Sequence, residues 1–483
     1  MQISVSRSAL MEPWLLVGGG LCLTLLVGSV AYLGSPVLVP VLIMALLIGF
    51  LILFRPEVGV LLLFATILFK YPKFLEGSGW LTINNLLGLT LSAILLATIA
   101  VRKQLWFLKV RQVQIFLLIG LVIFVNWIFV ARIEAPAHLS RLDLTGSTVE
   151  RYITRLAFLI FFVAFIRTSR QLLLITATLL VAIFLTVPDA ISHSLTAIGA
   201  AAGKVETLRA TATVGIEAAK NANYLAFICL MGVTLIWFAL AEYRGKLLRL
   251  LGGMAILTLV LAIVLSGSRA GVINLTLLPL LLLGQSGMRR GRVAAVVLLL
   301  VLSISLSLVL VPQAIRHRLG TFLPTYQEDK AVSQSTELRL LMLRVGLERF
   351  WESPVLGVGI GNLRWMNAMD PTSGGLPLAA HNAYLLALSE GGVILLGAYL
   401  LLFWQTFRDL GKTLKLSALA PDVNLKWLVL ATRTNLILLL VFSLFTDTWK
   451  EFYYLLILGT TAVLSQLYQK AAEQSWIRSR SSM

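Results

Sequence analysis

The segment AAHNAYLLALSEGG, residues 379–392, sets a histidine at the opening of an apolar run and a carboxylate inside it. Histidine is the side chain best suited to exchange a proton near neutral pH, so His381 is a candidate general base. It can equally be a polar residue that ends or caps a helix. Asn382 beside it can orient the ring or cap the helix. Glu390 lies about 14 Å further on and half a turn away in angle at 1.5 Å and 100° per residue, too far to share a proton with His381. A carboxylate at that depth should face the bundle interior and have a partner, for which Arg433 in the next apolar run is a candidate. Glu390 is read as a polar link between helices rather than as a catalytic group.

The arginines are the second set. Arg269 sits in LSGSRAG, a tight break between two apolar runs whose small residues let backbone or ligand come close. A guanidinium at a membrane interface needs a partner, and a lipid diphosphate matches its fork of donors. The alternative is an arginine that snorkels to head groups or pairs within the protein. TELRLLMLRVGLERFWES predicts a helix beginning near Thr336, capped by Ser335, with Glu337 in its first turn. Arg339 then lies in that first turn, where free backbone N–H groups also favour an anion. A solvated helix face is the alternative. Arg344 is one turn before Glu348 and should pair with it. Pro354 stops the helix, GVGIGN turns the chain, and MDPTSGGLP is loose. Arg209 belongs, with Arg132, Arg141, Arg151, Arg316, Arg318, Arg349 and Arg364, to an excess of arginine on the side where topology calls for little.

Other chemistries lack their residues. GVGIGN has no Lys-Ser/Thr after it and no strand–turn–helix frame, so it is not a phosphate-cradling loop. His138, His193, His317 and His381 are scattered, and no Cys/His cluster has metal-ligand spacing. The first external loop has no acid. Neither a metal nor another cofactor is expected. Cys22 and Cys229 lie in apolar runs and act as small packing residues.

The elements that must position these groups are membrane helices. The 483 residues are 58% hydrophobic and 13% charged, with mean hydropathy +0.91. A soluble domain is about half apolar and a quarter charged. Apolar runs recur throughout, which predicts an all-α polytopic membrane protein. The spans are expected at 14–33, 37–54, 58–70, 83–101, 114–131, 152–166, 171–188, 221–241, 248–266, 270–286, 293–312, 381–407, 427–446 and 452–468, about fourteen in all. The first is read as a retained helix. With a cytoplasmic N-terminus every inside loop is basic: Arg55; Arg102 to Arg111; Arg167 and Arg170; Arg244 to Arg249; Arg289 to Arg292; Arg408 to Lys415; and the tail. Both termini are then cytoplasmic. The net charge of +18 is assigned to this topology and not to nucleic acid. The chain reads as one polytopic domain, 1–483, with its largest external loop at 313–380.

Four patterns together resemble the O-antigen ligase and Wzy-type O-antigen polymerase superfamily, over roughly 205–460. They are RATATVGIEAAKNANYLA, with Asn223 and Ala226; LSGSRAGVI, with Arg269; STELRLLML followed by ESPVLGVGIGN, with Arg339; and HNAYLLALSEGGVILLG. The resemblance implies a bacterial inner-membrane glycosyltransferase working at the periplasmic face without metal. It would transfer a glycan from undecaprenyl diphosphate to a hydroxyl of a second glycan or of the lipid A core. Arg269 and Arg339 would bind the diphosphate, and His381 would activate the acceptor. Leu395 and Leu343 depart from the family pattern, which leaves the acceptor open, with a ligase slightly favoured over a polymerase. An anion transporter and a structural subunit of an envelope complex are the competing readings. A transporter should show inverted repeats and a polar site at the midplane, whereas here the polar residues cluster at the outer face.

Overall fold

The computed structural model describes residues 47–69, 82–130, 144–199, 210–212, 216–243, 245–284, 330–369, 380–448 and 451–481. The expected spans at 14–33 and 293–312, and most of 37–54, lie outside them. The helices in chain order are α1 (Pro56–Leu68), α2 (Ile83–Arg102), α3 (Arg111–Phe129), α4 (Leu144–Phe165), α5 (Ser169–Gly199), α6 (Ala222–Glu242) and α7 (Lys246–Leu265). They continue as α8 (Arg269–Leu283), α9 (Lys330–Glu352), α10 (Asn362–Met369), α11 (Ala383–Leu416), α12 (Lys426–Phe442) and α13 (Phe452–Ser481). Extended structure among the described residues is limited to one bridge, Phe69 to Ile216.

Among the described residues six helices, α2, α3, α5, α6, α7 and α11, are long and apolar enough to cross a membrane; α1 and α8 are shorter apolar helices. This is an all-helical polytopic membrane protein. Aromatic side chains fill its core: Phe227 packs against Phe442 at 4.9 Å and Tyr453 at 4.8 Å, and Phe116 stacks on Tyr152 at 4.8 Å.

The helix ends sort into two groups. At one end the guanidiniums of Arg102 and Arg167 lie over the Trp106 ring, 5.3 and 5.2 Å from its centroid, and Gln112 donates to Asp409 at 2.9 Å. Arg111 and Arg408, next to Gln112 and Asp409 in sequence, belong to this end as well. At the other end the Ala383 N–H donates to the Ser443 carbonyl at 2.9 Å, the Tyr224 hydroxyl to the Asp447 carbonyl at 3.4 Å, and the Ala210 N–H to the Leu265 carbonyl at 3.0 Å.

At this second end α9 does not stand apart from the bundle. It packs along the first turns of α11, and Gly346 permits the approach: a Cβ there would come 2.8 Å from the Leu385 side chain. The turn after Pro354 then plugs a break in α11. Gly392 has φ 66° and ψ −167°, a conformation reserved for glycine. A Cβ at Gly392 would stand 2.1 Å from the Val355 carbonyl oxygen. The break removes helical partners from several backbone groups, and apolar surroundings make unpaired ones costly. The turn replaces them. Val358 N–H donates to Ser389 O at 2.8 Å, Gly359 N–H to Glu390 O at 3.1 Å, and Val393 N–H to Pro354 O at 2.9 Å. Gly357, Gly359 and Gly361 give the turn its positive φ angles of 71°, 107° and 84°.

One expectation needs correction. α9 starts at Lys330, not near Thr336. KAVSQ contains good helix formers and nothing that forces a later start. Ser335 is therefore inside the helix, and Glu337 and Arg339 are beyond its first turn. The argument that free N–H groups assist Arg339 in binding an anion no longer applies. The helix does end at Glu352, just before Pro354.

Candidate functional site

His381 occupies a left-handed backbone conformation, φ 51°, one of three positive-φ non-glycine residues described. Such a conformation is strained for a side chain with a Cβ and persists only where neighbours impose it. Here two anchors impose it. Asn382 caps α11, its Oδ1 accepting from the N–H groups of Tyr384 and Leu385, both at 3.0 Å. Ala383 is tied to Ser443 across to the end of α12. Of the two roles open to Asn382, capping is the one observed.

The imidazole is accessible to solvent, and the charges acting on it are Asp447, Arg339 and Arg364. Desolvation by the surrounding protein holds its pKa below the ordinary histidine value. The two guanidiniums push the same way, and the Asp447 carboxylate pulls against them. His381 is thereby kept in the neutral form that can accept a proton.

Asp447 is 6% exposed, and its Oδ1 makes no hydrogen bond among the described residues. A buried carboxylate oxygen left in this way is costly and marks a place where a partner is wanted. Tyr224, in the first turn of α6, reaches the Asp447 carbonyl and also hydrogen-bonds Glu451. Glu451 is the carboxylate that acts most strongly on Arg155 of α4. The ends of α6, α10 and α11 and the α12–α13 connection, with Arg155 from within α4, thus share one polar cluster.

Arg269 is the first residue of α8 and is half-buried. Ser268 caps the helix by accepting from the Gly271 N–H at 3.1 Å. A Cβ on Gly271 would lie 2.6 Å from the Ala226 Cβ, so LSGSRAG is packed against the start of α6, within one turn of Asn223. Arg269 is not among the charges that act on His381. It joins the cluster's end of the bundle through α6 and Tyr224, whereas Arg339 and His381 act on each other directly. Arg209 lies outside the described residues.

Arg344 pairs with Glu348 at 2.8 Å on an exposed face, as its spacing predicts, and so points away from the cluster. Glu390 is buried, 2% exposed. Arg433, however, lies over the Phe407 ring, 4.7 Å from its centroid. Phe407 is about 25 Å further along the rise of α11 than Glu390, beyond the reach of one side chain. The expected Glu390–Arg433 link is therefore not what holds these helices.

Sequence reasoning passed over four members of the site. Arg364 was counted with the external arginines but not singled out. Asp447 and Glu451 had a signal in TDTWKE, two acids between two apolar runs. Asn126 is a lone amide in IGLVIFVNWIF. Among the described residues no three His, Cys, Asp or Glu side chains gather as metal ligands would.

An all-helical membrane bundle with a histidine, a carboxylate and arginines collected at one end defines a polytopic membrane protein with a polar site at its surface. Residues 254–400 match the family model described as O-Antigen ligase. The matched stretch includes Arg269, Arg339, Arg364, His381 and Glu390, and excludes Asn126 and Asp447. No curated protein matches the chain.

Proposed function

We propose that the chain is a metal-independent membrane glycosyltransferase that moves a glycan from undecaprenyl diphosphate to an acceptor hydroxyl. One observation carries the reading. A strained, accessible His381 is held within reach of a buried carboxylate and two guanidiniums at the outer end of a membrane bundle. The reading places this end at the periplasmic face of a bacterial inner membrane and both termini in the cytoplasm, following the basic loops.

The chemistry assigns each group a task. The acceptor hydroxyl attacks the anomeric carbon, its proton passes to His381, and the bond from that carbon to the diphosphate oxygen breaks on the opposite face. The product is inverted and undecaprenyl diphosphate leaves. Charge grows on the diphosphate as that bond breaks, and Arg339 and Arg269 stabilise it. Asp447 stabilises the imidazolium that forms. The apolar stripe Leu340, Leu343, Leu347 and Trp351, exposed along α9, suits a substrate presented from lipid. An O-antigen ligase-type acceptor is favoured, and a polymerase would use the same residues with a second lipid-linked glycan as acceptor.

The test is an assay of envelope glycan transfer in cells that depend on this chain. His381→Ala should lower transfer by about 10²–10⁴-fold, and Arg269→Ala and Arg339→Ala should each impair it, with the protein present at normal level in the membrane. Intact transfer in the His381 and arginine variants would overturn the mechanism.

A further inference from the structure

The Asn126 side chain of α3 bonds two separate segments at once. Its Nδ2 donates to the Leu356 carbonyl at 2.5 Å and to the Glu390 carbonyl at 3.2 Å. Its Oδ1 accepts from the Ile360 N–H at 2.8 Å. The residue is 1% exposed. One amide thus joins α3, both limbs of the 354–361 turn and the broken stretch of α11. Two of its partners, the Leu356 carbonyl and the Ile360 N–H, are turn backbone groups in an apolar setting, where an unpaired one is costly, while the Glu390 carbonyl also accepts from the Gly359 N–H.

That junction has a particular place. The turn is the hinge between α9 and α10, and each of those helices carries an arginine acting on His381: Arg339 before the turn and Arg364 after it. His381 lies on α11's own entry, a little over two turns before Glu390. Whatever sets the turn against α11 therefore sets both arginines against the histidine. The Ser389 hydroxyl bonds the Gly346 carbonyl at 2.9 Å and ties α9 to α11 one level away, but it does not touch the turn.

We propose that Asn126 is a positioning residue, whose amide fixes the α9–turn–α10 unit against the α11 break and so holds Arg339 and Arg364 at His381. The role of those three groups rests on the transferase reading; the mechanical claim does not, and a cross-link can test it alone. A Cβ at Gly346 would lie 2.9 Å from Leu385 Cγ. With a C–C bond of about 1.5 Å, the two Cβ atoms are within about 4.4 Å, inside the disulfide range of about 3.5–4.5 Å.

The experiment uses the full chain in nanodiscs, with Cys22 and Cys229 changed to Ala and the pair Gly346→Cys and Leu385→Cys introduced. Disulfide formation and binding of farnesyl diphosphate, a lipid diphosphate probe, are measured with Asn126 present and with Asn126→Ala or Asn126→Ser. The replacement should slow cross-linking several-fold and weaken probe binding about tenfold. Oxidising the pair should restore most of the binding, and reduction should remove it again. Unchanged cross-linking and binding in a folded variant would overturn the proposal. So would a binding loss that the oxidised pair fails to rescue, which assigns Asn126 to general stability. Transfer that survives His381→Ala would defeat the transferase reading and leave the cross-linking result standing.

Discussion

The Ser389 hydroxyl of α11 donates to the Gly346 carbonyl of α9 at 2.9 Å while also bonding the Leu385 carbonyl one turn back in its own helix at 2.7 Å. This doubly used hydroxyl sits where Gly346 has no side chain, three residues before the break at Gly392. α9 is therefore built against the first half of α11, and the site inherits its geometry from that seam.

Gly392→Ala should break the seam. The residue's φ and ψ cost a residue with a Cβ about 1–3 kcal/mol, and the new Cβ would strike the Val355 carbonyl, a backbone atom that cannot swing aside. Gly397 in the same helix has nothing within 4 Å of where a Cβ would go, and alanine there should be neutral or stabilising by up to about 1 kcal/mol. Thermal unfolding of the two variants in detergent should separate them, with Gly392→Ala melting several degrees lower. Equal melting of the two would contradict the docking described for the turn.

Much of this arrangement was legible in the sequence, and the division follows the range of the interactions. Local signals worked. Pro354 ended α9, three glycines marked the turn, and Asn382 could be seen as a cap. Contacts between distant segments were not legible. Asn126 meets Leu356 across 230 positions and Glu390 across 264, and no local pattern announces such partners. Asp447 could be noticed as an acid between apolar runs, but its meeting with His381 depends on how α11 and α12 end together. The start of α9 was misplaced because Ser335 is a good cap by type, while the residues before it are just as able to be helical.

His381→Gly separates strain from chemistry. Glycine adopts φ 51° freely, which relieves roughly 1 kcal/mol, although its greater freedom in the unfolded chain offsets part of the gain. The variant should melt no lower than the parent. Its transfer rate should nevertheless fall about 10²–10⁴-fold, because the base is gone. A variant that transfers glycan at close to the parent rate would remove His381 from the mechanism, and one that melts far lower would show that the ring itself holds the turn.

Arg344→Ala should do little. Its pair with Glu348 is exposed on both sides, and exposed pairs contribute about 0–1 kcal/mol. Transfer by this variant should stay close to the parent's while Arg339→Ala, five positions earlier on α9, is strongly impaired. Comparison of the two in the same envelope assay tests whether the buried face of α9, and not its charge as a whole, serves the site. Equal impairment would point to a general electrostatic field instead.

The pH dependence of transfer tests the electrostatics of His381 most directly. The base must be neutral, so the rate is lost as pH falls through its pKa in the free enzyme, and kcat/KM reports that limb. Desolvation and the guanidiniums of Arg339 and Arg364 hold this pKa below the ordinary histidine value, and Asp447 opposes them. Removing a positive neighbour makes the imidazolium easier to form, so Arg364→Gln should move the acid limb to higher pH. Removing the carboxylate makes it harder to form, so Asp447→Asn should move the limb to lower pH even as the maximal rate declines. Asp447→Asn preserves side-chain size closely, Arg364→Gln keeps a polar chain without the charge, and the two should displace one limb in opposite directions. A structural disturbance has no reason to produce that sign pattern. If both variants shifted the limb the same way, or neither did, the group titrating in the reaction would not be a histidine held between Asp447 and Arg364.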